Sequence, residues 1–413
     1  MWGLREDAPM VLPDTAPCSM DPKRAVDRRG RIDFVRSVAR CHHGSDGLRR
    51  PATAMTNGGR KWTRRAAAAL LGVVVAGVGA ELGLRLFDFN VASVNAGYMQ
   101  FGYAQGIPAF DEDGVLVEGR SLKVRLFEPD PETFWRPIPD AVVTNSFGFR
   151  GRTEPVPGDD SERIRIAFIG DSCTFLGNPV YPELIQLALQ RRFADRDFDC
   201  INASCPGYSS FQGTKVLPRI EEWRPEAVVV NFGWNDHFQS IGGLSDSAQY
   251  ALQHGLRSVG LVRAWLASRS HDPVMRGPLG HYEDHLEEIR DTIIGWGAVP
   301  IFVTAPSAFV DGAMPDWSYN FYGKYHGMDR ETVDAIPRMH AAQVEAVRRV
   351  ASEPPCILVD AAGEFPKSAE PIEKVFRKDL AHFRTSGHRM MADLVGPAVL
   401  KVVRRAIARQ KGS

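Results

Sequence analysis

Two short segments carry residues that could do chemistry together. Gly170-Asp171-Ser172 closes the largely apolar run IRIAFIG, and Asp379-Leu380-Ala381-His382 precedes the last helical pattern of the chain. A serine hydroxyl is a poor nucleophile until a base takes its proton, and histidine is the side chain poised for that near neutral pH. At a tight strand-to-helix turn the hydroxyl of such a serine stands exposed, and its backbone N–H points toward a bound anion. Asp379, three residues before His382 on a turn, can reach the other ring nitrogen, hold its tautomer and support the imidazolium. Alone, Gly-Asp-Ser is weak, because a serine at a helix start is ordinarily a cap. His388 competes with His382 as the base, but it falls inside the final helical pattern with no acid three residues earlier.

The elements that would position these residues follow from texture. From Arg163 onward, short apolar runs alternate with amphipathic patterns: IRIAFIG, YPELIQLALQRRF, DFDCIN, GTKVLPRIEEW, AVVVNFG, then YEDHLEEIRDTIIGW, VPIFVTAP, PRMHAAQVEAVRRVA, CILVDAA and GHRMMADLVGPAVLKVVRRAIA. Continuous apolar strands separated by helices predict a doubly wound, five-stranded parallel sheet covered on both faces, an α/β/α three-layer fold. In that architecture a site lies at the carboxyl ends of the strands. The second strand runs into Asn202-Ala203-Ser204-Cys205-Pro206-Gly207 and the third into Asn231-Phe232-Gly233-Trp234-Asn235-Asp236.

These blocks, in this order, resemble the SGNH (GDSL-like) hydrolase superfamily, and the stretch after the second strand is similar to its bacterial thioesterase I/lysophospholipase branch. The resemblance covers roughly residues 163–405 and implies a flavodoxin-like SGNH fold. It implies Ser172 as nucleophile, His382 as base and Asp379 as its partner. The oxyanion donors would be the Ser172 and Gly207 backbone N–H groups and the Asn235 amide. Glycine at 207 lets the backbone approach the substrate. In two places the chain departs from the family pattern: Phe383 follows the histidine where proline is usual, and bulky Trp234 stands between Gly233 and Asn235. Trp234 is expected to shape the acyl or alcohol pocket. The aromatics Trp317, Tyr319, Phe321, Tyr322 and Tyr325, in the connection after VPIFVT, are expected to be either packing or a lid over the substrate, with Trp317 and Tyr319 as binding residues.

The remaining polar candidates read as structure. Asp171 and Asp236 should satisfy backbone N–H groups at their turns, and His237 should be a partly exposed loop residue. His281 and His285, in HYEDH, have the wrong acid order for a zinc peptidase and read as a solvated helix start. No metal or cofactor is expected. Six cysteines form no CxxC pair. Cys200 and Cys205 could bridge in an oxidising compartment, with buried free thiols the plainer reading, and Cys173 should be a small buried residue.

Lys plus Arg and Asp plus Glu each total 50 in 413 residues. A neutral chain has no field to draw in nucleic acid. Residues 1–54 lack apolar periodicity and should be disordered, or untranslated if the chain begins at Met55. From Met55 a basic segment (Arg60, Lys61, Arg64, Arg65) abuts the apolar run Ala66–Ala80. Residues 55–90 are therefore expected to be a signal or, somewhat better, an uncleaved anchor, placing everything after residue 90 outside the cytoplasm. Residues 91–160 should be an arm or cap on a hydrolase domain at 161–413. The expected activity is hydrolysis of an envelope or extracellular acyl ester, of a small molecule, glycan or lipid, through an acyl-serine. Acyl transfer to a polysaccharide and glycan binding without turnover are the alternatives.

Overall fold

The computed structural model describes residues 57–87, 89, 107–110, 116–122, 126–157, 163–238, 240, 243–267, 269, 274–309, 312–319, 322 and 330–412. Residues 1–54, with Cys18 and Cys41, lie outside them, as do Phe321 and Tyr325. The chain divides into two compact units, Met1–Arg64 and Arg65–Ser413. Helix α1 (Asn57–Leu86) carries the basic and apolar run. Among the described residues, its stretch Lys61–Leu86 is the one helix long and apolar enough to cross a membrane.

Five apolar stretches form the main sheet: β5 (Ile164–Gly170), β6 (Phe198–Asn202), β7 (Ala227–Asn231), β8 (Val299–Val303) and β9 (Ile357–Val359). All pair in parallel, in the order β6-β5-β7-β8-β9. The chain steps from β5 to one side, then crosses back to the other, so the winding reverses between β5 and β7. That reversal opens a crevice at their carboxyl ends. Between the strands run α2 (Ser172–Phe175), α3 (Tyr181–Arg192), α4 (Ser210–Glu221), α5 (Asp246–His254), α6 (Arg257–Ala267), α7 (Leu279–Gly295) and α8 (Arg330–Val350), and α9 (Thr385–Gly412) closes the chain.

Alternate strand residues face opposite sides, which builds two cores. Ile166 and Phe168 of β5 and Val229 of β7 pack with Ile185 and Leu189 of α3 and with Val395, Val399 and Val402 of α9. Ala167, Ile169, Val228 and Val230 meet the opposite layer, through Val216 and Ile220 of α4, Leu286 and Ile289 of α7 and Val347 of α8. The result is the expected three-layer α/β/α sandwich. Helices α5 and α6 are additions to the sequence reading. Helix α8 begins seven residues before the expected start, with Pro337 inside it and buried Val333 and Ile336 extending its inner face.

Upstream of the sheet, β1 (Ile107–Phe110) pairs with β2 (Leu116–Leu122), and β3 (Phe127–Asp130) with β4 (Phe134–Pro137), both antiparallel. The second hairpin sits against the sheet domain. Trp135 is fully buried and donates from Nε1 to the Pro206 carbonyl at 3.0 Å, while the Tyr208 hydroxyl donates back to the Trp135 carbonyl at 2.8 Å. Farther on, the Arg150 N–H donates to Asn202 O at 2.8 Å, and its guanidinium donates to the carbonyls of Phe175 (3.0 Å) and Gly177 (2.7 Å) and to Glu183 (2.9 Å).

Candidate active site

β5 delivers its serine through a turn that needs glycine. A Cβ on Gly170 would lie 2.6 Å from both Asn231 O and Thr174 Oγ1, so β7 and α2 can approach this closely only where no side chain intervenes. Asp171 then caps α2: its Oδ1 accepts the Cys173 N–H at 2.8 Å. Burial pushes the Asp171 carboxyl up, against the pull of these donors. Ser172 is the first residue of α2, and its hydroxyl meets the C-terminal block.

That block is a tight turn between Phe376 and Phe383, which form an isolated antiparallel bridge. Within it, Arg377 N donates to His382 O at 2.8 Å, and Leu380 takes a positive φ of 66°. Asp379 turns its carboxylate inward, accepting the backbone N–H of Ala381 (3.1 Å) and of His382 (2.8 Å) on Oδ1. Its Oδ2 lies 2.6 Å from His382 Nδ1, and His382 Nε2 lies 2.6 Å from Ser172 Oγ. Burial alone would raise the Asp379 carboxyl. Its electrostatic pairing with His382 and the hydrogen bonds from His382 and Ala381 overcome it and hold the group below the usual range. With Nδ1–H donated to this carboxylate, Nε2 is left as the acceptor for the serine proton.

The blocks after β6 and β7 meet each other, through Asn235 and Tyr208. Gly207 has φ +82°, a conformation that favours glycine. Asn235 donates one amide hydrogen to Tyr208 O at 2.9 Å, which fixes the amide plane and leaves its second hydrogen to point elsewhere. The N–H groups of Ser172 and Gly207 take part in none of the described hydrogen bonds. The Gly207 loop is itself held by the Trp135 clasp on Pro206 and Tyr208 described above.

Several positioning residues were not legible in the sequence. Tyr322, read as part of the aromatic loop, is fully buried and donates to the Asp379 carbonyl at 2.9 Å, so it supports the acid-bearing turn. Cys173 Sγ donates to Ala381 O at 3.4 Å in the same turn, and burial raises its thiol pKa. Gln343 of α8 and the Gly233 carbonyl both accept from His237 Nδ1, at 3.1 and 3.0 Å, which braces the Gly233–Asn235 turn.

Other expectations need correction. His237 is buried, not a partly exposed loop residue, because its ring is committed to those two acceptors. His285 is buried too, with Nδ1 2.9 Å from Ser210 Oγ, whereas its neighbour His281 is exposed. Trp234 is 3% exposed; its Nε1 donates to Pro306 O at 3.3 Å and its ring lies 4.4 Å from that of His340, so its surface is spent on packing rather than on a pocket wall. Tyr319 is half-buried and donates to Asp334, with Arg330 over its ring at 4.6 Å. The side chain of Trp317 lies outside the described set.

The remaining candidates fill supporting places. His388 is buried in α9 and donates from Nε2 to Leu176 O at 2.8 Å. A Cβ on Gly177 would sit 2.2 Å from that same nitrogen, so the loop after α2 is seated directly on His388. Asp236 accepts both the N–H and the hydroxyl of Ser210. Cys200 and Cys205 are free thiols. Among the described residues, no group of three or more His, Cys, Asp or Glu is placed to hold a metal ion. A cleft of about 550 Å³ lies between the arm and α3, lined by Arg150, Arg152, Glu183 and Gln186; none of Ser172, Asn235 or His382 borders it.

A model of the GDSL-like Lipase/Acylhydrolase family matches residues 168–390, a little over half of the chain, and that span contains Ser172, Gly207, Asn235 and His382. Among solved structures, a lipase/acylhydrolase from Enterococcus faecalis is similar at 18% identity over 57% of this chain and 95% of its own, with a TM-score of 0.37. The acetylxylan esterase Axe2 from Geobacillus stearothermophilus is similar at 16% identity over 59% and 94%, with a TM-score of 0.38. No curated protein sequence matches the chain.

Proposed function

The chain belongs to the GDSL-like lipase/acylhydrolase family and is an ester-hydrolysing enzyme, and from that premise we propose that it cleaves an acyl ester through an acyl-serine intermediate on Ser172. The observation that carries the reading is the unbroken line Asp379–His382–Ser172, with both contacts at 2.6 Å. As Ser172 Oγ attacks the acyl carbonyl, its proton passes to His382 Nε2, and the carbonyl oxygen takes up the negative charge. The N–H groups of Ser172 and Gly207 and the second hydrogen of Asn235 Nδ2 receive that charge. When the tetrahedral species collapses, His382 returns the proton to the departing alcohol oxygen. A water then repeats the sequence, giving up its proton to His382 and releasing the acid. Asp379 stays ionised throughout and keeps Nδ1 protonated.

The place of action we assign is the outer face of a membrane, with α1 as an uncleaved anchor. This is supported by the basic cluster before Ala66 and by the exposure of α1 from Lys61 to Ala80. The proposed substrate is an acyl ester presented outside the cytoplasm. One experiment tests the chemistry: a fluorophosphonate should label Ser172 covalently, beside turnover of a p-nitrophenyl ester panel from acetyl upward and of an O-acetylated sugar. Labelling confined to another residue, with Ser172→Ala still active, would overturn the reading. The chain-length profile would identify the acyl group.

A further inference from the structure

Helix α6 is built inside out. Gly260 faces Leu252 of α5, where an added Cβ would meet the Leu252 side chain at 3.8 Å. The large apolar residues point away from the domain: Val259, Leu261, Val262, Trp265 and Leu266 are 43–56% exposed, and Leu256, just before the helix, is 55% exposed. At 3.6 residues per turn these side chains share one face, and Arg257 and Arg263 mark its two edges. Arg269 sets its guanidinium 3.7 Å from the Trp265 ring centroid. A contiguous apolar face rimmed by cations is the pattern of a helix that lies in a lipid interface.

Its place in the fold names the occupant. Helix α6 begins where α1 ends: the Ser258 N–H and hydroxyl both donate to Glu81 Oε2 at 2.9 Å, and Arg257 donates to Leu84 O at 3.0 Å. Glu81 is the first charged residue after the run Ala66–Ala80. Counted from Lys61, with the flanking basic side chains reaching back to the headgroups, α1 covers about 30 Å at 1.5 Å per residue before Glu81, the thickness of a hydrocarbon core. Glu81 therefore marks the outer edge of a bilayer that α1 spans, and its partners put the start of α6 at that depth.

We propose that α6 docks on an anionic phospholipid surface. Its apolar face sits among the upper acyl chains and its arginines at the phosphates, so the catalytic domain is held in a fixed attitude against the membrane. The proposal rests on the reading of α1 as an anchor. With α6 docked, the enzyme has two attachments, and the crevice between β5 and β7 cannot swivel freely about α1.

The test uses the full chain in phosphatidylcholine–phosphatidylglycerol vesicles, with emission from Trp62 in α1 and Trp265 in α6 isolated by comparison with Trp62→Phe and Trp265→Phe. Trp265 emission should be blue-shifted, quenched by lipids brominated near the glycerol end of the acyl chain, and protected from aqueous iodide. Val262→Glu with Leu266→Glu should expose Trp265 to iodide while the protein still floats with vesicles. If Trp62 is quenched by lipid and Trp265 by iodide, the anchor stands and the α6 proposal falls. Quenching of neither by lipid would remove the anchor and the proposal together. If Trp265 is shielded from both quenchers, a second copy or another protein surface covers α6, and the membrane proposal is wrong.

Discussion

Among the described residues, two sets of serine, histidine and aspartate are linked by side-chain contacts, one at Ser172 and the other at Ser210. In the first the histidine is central: His382 touches Asp379 with one nitrogen and Ser172 with the other. In the second the serine is central: Ser210 Oγ donates to Asp236 Oδ1 at 2.6 Å and has His285 Nδ1 at 2.9 Å on its other side. While Asp236 is ionised, the single hydroxyl proton of Ser210 goes to the carboxylate, so His285 Nδ1 donates to that oxygen. Burial completes the contrast. Ser210 has no exposed surface, whereas the His382 side chain keeps about a quarter of its area open. On the proposed reading, the same three residue types make a base-activated nucleophile in one order and a helix-end brace in the other, so contact order rather than composition would separate chemistry from scaffolding.

The largest expected effect comes from breaking the first set. Ser172→Ala or His382→Ala should each lower turnover by about 10⁴–10⁶, and the double variant should be scarcely worse, because residues acting as one unit are not additive. Asp379→Asn should follow at about 10³–10⁴, since the tautomer is lost while the base remains. Steady-state kinetics on the best ester of the panel would read all four, and a double variant losing the product of the single losses would dissolve the unit.

Asn235→Ala should come next, at about 10²–10³ in kcat with little change in KM, because the amide serves a charge present mainly in the transition state. A loss carried by KM instead would make Asn235 a ground-state binding residue.

Ser210→Ala should show the opposite profile. Asp236 and His285 would both lose a buried partner, costing about 1–3 kcal/mol in urea unfolding, while kcat stays within a few-fold of wild type. A variant that is fully stable but inactive would move Ser210 from the brace to the reaction.

The smallest effect is a slope with pH, and it belongs to buried groups rather than to the catalytic ones. Burial lowers His285 to about 4 and His340 and His388 to about 3, and acts on His237 in the same direction. Below about pH 6.5 the unfolded chain takes up protons that these folded rings refuse, so stability falls with pH. Asp236, which burial raises to about 7, opposes them: the folded chain keeps a proton that the unfolded carboxyl, titrating near 4, has already released. Asp171 and Asp199, which burial also raises, act with Asp236; the four histidines outnumber these three aspartates, so stability should still fall as the pH drops from 6 to 5. Urea midpoints that are flat across that interval would contradict the buried, neutral state of these rings.

Much of this was readable in the residues alone, for physical reasons. Strands buried on both faces show as continuous apolar runs, and Asp379 and His382 are close because three residues of turn make them so. The features that escaped are long-range contacts. His237 meets Gln343 across 106 residues, His285 meets Ser210 across 75, and Trp135 meets Pro206 across 71. A polar residue in a loop looks solvated until its partner is known, which is why His237 and His285 read as exposed. Trp234 read as a pocket wall because nothing local discloses that His340 and Pro306 enclose it. Helix α6 is absent from the sequence reading, and no residue in it tells which face turns outward.

The family match begins at residue 168, but Trp135 and Arg150 lie upstream of it and hold parts of the crevice. A gene fragment cut just before β5 would leave the Pro206 carbonyl without its indole donor, the Tyr208 hydroxyl without its acceptor, and the carbonyls of Phe175 and Gly177 without Arg150. Each such vacancy costs about 1–3 kcal/mol if water cannot reach it, and together they rival the net stability of many domains. The stretch that a lineage shares and the stretch that a laboratory must clone have different edges, and the second of these opens at or before Leu126.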